Sequence, residues 1–161
     1  MNSFDRAREL LKGSEPAPII PPDRMLADGF LPEKCMLYFA EQRPSLEVED
    51  GQSIIDVTIN DESDDPRSYR ILWNVADPDF VNVLLGYNLN SPELERPVLV
   101  SLAHYMTGRW KVGKVTVDRN AKSVTFSAEM LVSTQEEFNH HFPRISNILC
   151  SMSDEFFRRI F

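Results

Sequence analysis

The stretch Pro97–Ile160, PVLVSLAHYMTGRWKVGKVTVDRNAKSVTFSAEMLVSTQEEFNHHFPRISNILCSMSDEFFRRI, decides the fold. It reads as one helix, one β-hairpin and one long amphipathic helix. Val98, Leu102 and Tyr105 fall on one helical stripe, Leu99 and Met106 widen it, and Gly108 marks its end. Val115 and Val117 lead through Asp118-Arg119-Asn120-Ala121 into Val124, Phe126, Ala128, Met130 and Val132, which alternate with polar residues at the strand period of two. Thr134-Gln135-Glu136-Glu137 then has the form of a capping box. Phe138, Phe142, Ile145, Leu149, Met152, Phe156 and Ile160 follow every three to four residues, interrupted only by Pro143, where one helical hydrogen bond must be lost and a bend is expected.

Working backwards, Ser91-Pro92-Glu93 is a helix-start signal, complicated by Pro97: the helix starts at Pro97, or a first turn from Pro92 kinks there. Residues 46–89 alternate as strands. Leu46 and Val48 precede an Asp50-Gly51 turn; Ile55, Val57 and Ile59 follow, then Tyr69, Ile71, Trp73 and Val75. Asp77-Pro78-Asp79 turns the chain into Val81, Val83, Leu85, Tyr87 and Leu89, with Phe80 and Leu84 on the opposite face, as in a central strand or an interface. Pro32 opens a helix carrying Cys35, Met36, Phe39 and Ala40, closed by Pro44. Residues 1–31 form an N-terminal arm with a Pro-rich linker (Pro16, Pro18, Pro21, Pro22), and residues 32–161 a single domain. The expected architecture is α+β: an antiparallel sheet of about five strands with helices packed largely on one face, in the order α-β-β-β-α-β-β-α.

Composition narrows the function. The 161 residues are 42% apolar, with ten Phe and two Trp, enough for a core without staples. Twenty-five acids against 17 bases give a net charge of −8, which repels a phosphate backbone, so no nucleic-acid partner is expected. No apolar run reaches the ~18 residues of a membrane span, and no leader pattern opens the chain; no membrane partner and a cytoplasmic location are expected. Cys35 and Cys150 lie in apolar helical patterns, as buried reduced thiols do.

Catalytic patterns are missing. His140 and His141 are neighbours and point ~100° apart on a helix, and His104 has no ligand spacing around it, so no metal is expected. The acidic run Asp61-Glu62-Ser63-Asp64-Asp65 lacks the glycine and the distal glutamate of a calcium loop. There is no nucleophile elbow and no phosphate-cradling glycine loop, and the six glycines are scattered. The reading is therefore no enzyme, no catalytic residue and no cofactor. Arg109, Lys111, Lys114, Arg119 and Lys122 gather basic charge around the hairpin, fit for a solvated face or for an acidic partner.

The segment Val98–Thr107, the link Arg109-Trp110-Lys111-Val112-Gly113-Lys114, the strands Val115–Asp118 and Val124–Val132 and the helix start at Thr134 resemble the YbjN family of small bacterial proteins, similar in fold to type III secretion chaperones. The resemblance spans roughly residues 32–161. Where such proteins often carry an Asn, this chain reads His104-Tyr105-Met106-Thr107, so no role for that Asn transfers. The resemblance implies a homodimer that holds an extended segment of an unidentified partner protein, in a chaperone-like or regulatory role. The expected interface is Val98, Leu99, Leu102, Tyr105 and Met106, with Leu85 and Tyr87 nearby. The alternative is a small-ligand or enzyme site assembled from distant residues such as Trp73, His104, Tyr105 and Glu129.

Overall fold

A computed structural model describes residues 31–60, 66–74, 77–90 and 93–161. The readings of the arm over 1–30, the acidic run 61–65, Val75 and the Ser91-Pro92 cap lie outside these residues.

Helix α1 (Leu31–Tyr38) is followed by a single 3-10 turn, Ala40–Gln42. Strands β1 (Ser45–Glu49), β2 (Gln52–Ile59), β3 (Arg67–Asn74) and β4 (Asp77–Asn88) come next, then helix α2 (Arg96–Arg109). Strands β5 (Gly113–Val117) and β6 (Ser123–Leu131) and helix α3 (Gln135–Ile160) complete the chain. All six strands form one antiparallel sheet in the order β1-β2-β3-β4-β6-β5. The α+β class and the antiparallel sheet are as expected; the strand count is six rather than five. Residues 46–89 hold four strands where the expected order counts three: the Leu46-Val48 segment is a strand of its own, because Asp50 and Gly51 both adopt positive φ, 50° and 74°, the geometry of a two-residue hairpin turn, and Glu49 then pairs with Gln52.

Two further readings are corrected. The turn placed at Asp77-Pro78-Asp79 comes earlier: Asn74 already pairs with Asp77, so β4 begins there. Helix α2 does not stop at Gly108 but runs to Arg109, with the Trp110 N–H bonded to the Met106 carbonyl. Its start is at Arg96, so Pro97 occupies the first turn, where its fixed φ fits and its missing N–H costs nothing.

Side-chain alternation divides the sheet into two faces. Ile55, Val57, Tyr69, Ile71, Trp73, Val81, Val83, Leu85, Val124, Phe126 and Ala128 are buried on one face. Helix α3 packs across this face with Phe138, Phe142, Leu149, Met152 and Phe156 buried beneath it. The other face carries Thr58, Arg70, Gly86, Glu129 and Lys114, all exposed. Helix α3 owes its start to the expected capping box: the Glu137 N–H donates to Thr134 Oγ1 at 3.2 Å, and the Thr134 N–H donates to Glu137 Oε2 at 3.3 Å. The helix continues through Pro143, which lies on its exposed side.

The two sheet edges differ. At β5, helix α2 packs alongside and Thr107 Oγ1 accepts the Val115 N–H at 2.9 Å, so the outer edge of that strand is covered. At β1 all five residues are exposed.

Candidate interaction surface

Helix α2 carries apolar residues on two sides. Leu99, Ala103 and Met106, spaced by four and three residues, face the core. Val98, Leu102 and Tyr105 repeat the same spacing one position earlier and form a second stripe. Val98 is 60% and Tyr105 49% exposed, while Leu102 is half-buried. Val100 adds a further partly exposed apolar side chain on this helix.

At the C-terminal end of the stripe a charged network ties α2 to α3. Glu155 is buried at 8% exposure and accepts from Trp110 Nε1 at 3.1 Å and from Arg159 at 3.0 Å. Arg109 approaches the same carboxylate at 3.6 Å and donates to the Tyr105 hydroxyl at 3.3 Å. The Arg159 guanidinium also lies over the Tyr105 ring, 5.2 Å from its centre. Burial pushes the Glu155 carboxyl up. The bonds from Arg159 and Trp110 and the charges of Arg109 and Arg159 together outweigh that and hold it below its ordinary value. Hydrogen bonding and charge from Arg109 lower the Tyr105 phenol. The result is a carboxylate that stays ionised while fixing the rotamers around Tyr105. The sequence signal for it is Glu155 set among buried positions of α3 with Arg159 four residues on.

The seven residues expected at an interface do not share one surface. Leu99, Met106 and Leu85 are fully buried core residues. Leu85 and Tyr87 belong to β4, the strand between β3 and β6, whose helix-side face lies beneath α3 and not beside α2. The Tyr87 hydroxyl bonds to Ser153 at 3.3 Å and its ring packs on Phe157. Val98 and Tyr105 remain exposed on α2, with Leu102 half-buried between them.

The basic cluster is likewise divided. Arg109 is engaged by Glu155, and Lys114 is paired with Glu129 at 3.2 Å on the open face of the sheet. Arg119 and Lys122 sit at the β5–β6 turn, and Lys111 at the far end of β5, a strand length of roughly 13 Å away. Lys111, Arg119 and Lys122 are exposed and have no ion-pair partner among the described residues.

The residues of the alternative site do not converge. Trp73 is sealed in the core against Phe138, Glu129 is on the open face, and His104 and Tyr105 are on α2. The open face does hold a shallow groove of about 550 Å³ over Leu84 and Gly86. Four of its polar side chains pair with each other: Arg70 donates to both Asp56 oxygens at 2.8 and 2.9 Å, and Thr58 bonds to Ser68 at 3.2 Å. His140 and His141 stack edge to face, and among the described residues no group of three or more His, Cys, Asp or Glu is placed to hold a metal ion. No helix among the described residues is long and apolar enough to cross a membrane. Cys35 and Cys150 are free and buried.

No family model matches the chain, and no curated protein matches it. Among solved structures the chain is similar to the crystal structure of YbjN from E. coli, described as a candidate transcription regulator. The two share 14% sequence identity over 74% of this chain and 85% of that one, with a TM-score of 0.48. The likeness concerns the arrangement of the fold, and no residue role passes from one protein to the other.

Proposed function

We propose that this chain is a non-enzymatic protein-interaction module that pairs with a second copy through the outward stripe of α2 and holds a segment of a partner protein. The observation that carries the reading is the duplicated apolar spacing on α2. One stripe satisfies the core, and the second, Val98-Leu102-Tyr105, leaves Val98 and Tyr105 exposed with Leu102 half-buried between them. An apolar stripe on a helix that already has its core face is a surface suited to another helix. A two-fold axis through α2 would bring each stripe against its own copy, the self-complementary geometry of a cyclic dimer. The Tyr105–Arg109–Glu155–Arg159 network supports this by holding Tyr105 in one orientation at the edge of the stripe. A net charge of −8 fits protein partners better than nucleic acid.

Light scattering of the full chain tests the reading. A mass of twice 18.5 kDa is expected at micromolar concentration, falling to a monomer in Val98→Glu combined with Tyr105→Glu. Neither side chain belongs to the buried core, so circular dichroism should show the variant folded. A wild-type chain that is monomeric throughout this range overturns the dimer.

A further inference from the structure

The two edges of the sheet have been treated differently by the fold. Strand β5 is closed by α2 and by the Thr107 hydroxyl on the Val115 N–H. Strand β1 pairs with β2 on one side only, and none of its residues makes a side-chain hydrogen bond or ion pair among the described residues. A strand paired on one side keeps every other N–H and C=O directed outward, a ready template for a further strand.

The side chains of β1 say what kind of strand would fit. Leu46 and Val48 stand opposite Ile55 and Ser53, on the helix side of the sheet, yet are 39% and 66% exposed. Glu47 stands opposite Ile54 and Glu49 opposite Gln52, on the open face shared with Asp56 and Arg70. Asp56 holds Arg70 on that face with two bonds, and the charges of Glu47 and Glu49 also act on its guanidinium. Glu47 and Glu49 have no ion-pair partner among the described residues. The edge therefore offers partly exposed apolar side chains on one face and, on the other, two carboxylates without a contact ion pair among the described residues, at the period of a strand.

We propose that β1 is a docking strand whose outer edge takes one extended polypeptide segment, in which apolar residues alternate with lysine or arginine, as a seventh strand of the sheet. The proposal rests on the reading of the chain as a protein-binding module and commits it to one edge and one partner chemistry. Apolar residues of the incoming strand extend the Leu46-Val48 surface, and its cations meet Glu47 and Glu49 as cross-strand pairs. A second copy fits poorly, because antiparallel pairing of β1 with itself brings four carboxylates of one face together. The Pro-rich stretch with Pro16, Pro18, Pro21 and Pro22 fits poorly too, because proline has no ladder N–H to give.

The test is fluorescence anisotropy of the full chain with a capped, labelled peptide of Lys-Val repeats, about eight residues long, a length ordinary for a strand. The expected result is saturable binding that weakens at least ~10-fold in Glu47→Lys combined with Glu49→Lys, while the same variant gains binding to a Glu-Val repeat. Binding should also be lost when the lysines are grouped at one end of the peptide, or when alternate peptide amides are N-methylated. Equal binding of the grouped or N-methylated peptide, or binding unchanged by the charge reversal, overturns the proposal. Hydrogen exchange supplies a second readout: the outward β1 amides, those not bonded to β2, should exchange fast in the free chain and slow when peptide is bound. Slow exchange of these outward amides in the free chain means that the chain or a second copy already occupies the edge, and overturns it as well. Light scattering on the same samples separates the two readings. A dimer that binds no peptide removes the β1 proposal alone, and a monomer that binds it removes the α2 dimer alone.

Discussion

Gly113 opens β5 directly against Met152 of α3: a Cβ at position 113 would meet Met152 Sδ and come within 2.7 Å of its Cε. Met152 is fully buried, so its side chain has little room to swing away. Gly113→Ala is expected to destabilise the protein by about 1–3 kcal/mol through overpacking. Met152→Ala alone should cost about 2–5 kcal/mol by leaving a cavity. The double variant should cost less than the sum, because each change relieves the other. Urea denaturation of the three variants measures this, and full additivity would contradict the contact.

Pro143 lies in the middle of α3 on its exposed side. An alanine there restores an N–H to the helical ladder, facing the Asn139 carbonyl, and removes the clash of the ring with the preceding turn. Pro143→Ala should therefore raise stability by about 1–2 kcal/mol, the interior proline penalty less the entropy that proline removes from the unfolded chain. Thermal melts followed by circular dichroism check it; a lower midpoint would mean that the proline shapes the helix to fit the sheet.

Asp118 organises the β5–β6 turn. Its carboxylate accepts the backbone N–H groups of Ser123, Lys122 and Asn120, and these bonds, that from Ser123 first, hold its carboxyl below the ordinary value. A carboxyl whose pKa is lower folded than unfolded contributes stability above its unfolded value, about 3.9, and loses it as pH falls through the folded value. Asp118→Asn should thus be less stable than the wild type at pH 7, with the gap closing in acid below that unfolded value. A gap that is constant across this range would show that the charge contributes nothing.

Burial pushes the Cys35 thiol up, far from the range in which thiolate forms at neutral pH. A thiol reagent should label Cys35 in the native chain at a rate on the order of 100-fold below that in denaturant, where both cysteines react freely. Mass spectrometry of the labelled chain distinguishes Cys35 from Cys150; rapid native labelling of Cys35 would show that α1 opens readily from the sheet.

Much of this fold is legible along the chain because its signals are local. The capping box at Thr134 and the three-to-four-residue apolar repeat of α3 depend on neighbours within a turn of helix. The two-sided apolar pattern of residues 80–89 likewise announces a central strand, and β4 lies between β3 and β6. The Asp50-Gly51 turn and the alternation of Leu46 and Val48 before it are equally local, and β1 forms there as a five-residue edge strand.

The candidate surface was only half legible. Spacing shows that α2 has more apolar residues than one face needs, but not which stripe turns inward. That choice depends on how the helix is rotated against β5 and α3, and it buries Leu99 and Met106 while leaving Val98 and Tyr105 outside. The same holds for the basic residues: adjacency from Arg109 to Lys122 suggests one patch, whereas a strand separates its ends and Glu155 and Glu129 neutralise two members. The elements, their caps and their periodicities can be read along the chain, because these follow from contacts a few residues apart. Which edge of the sheet is covered, and which is left unpaired among the described residues, follows from packing between elements, because covering β5 takes a hydroxyl eight residues away, on another element, at hydrogen-bond distance.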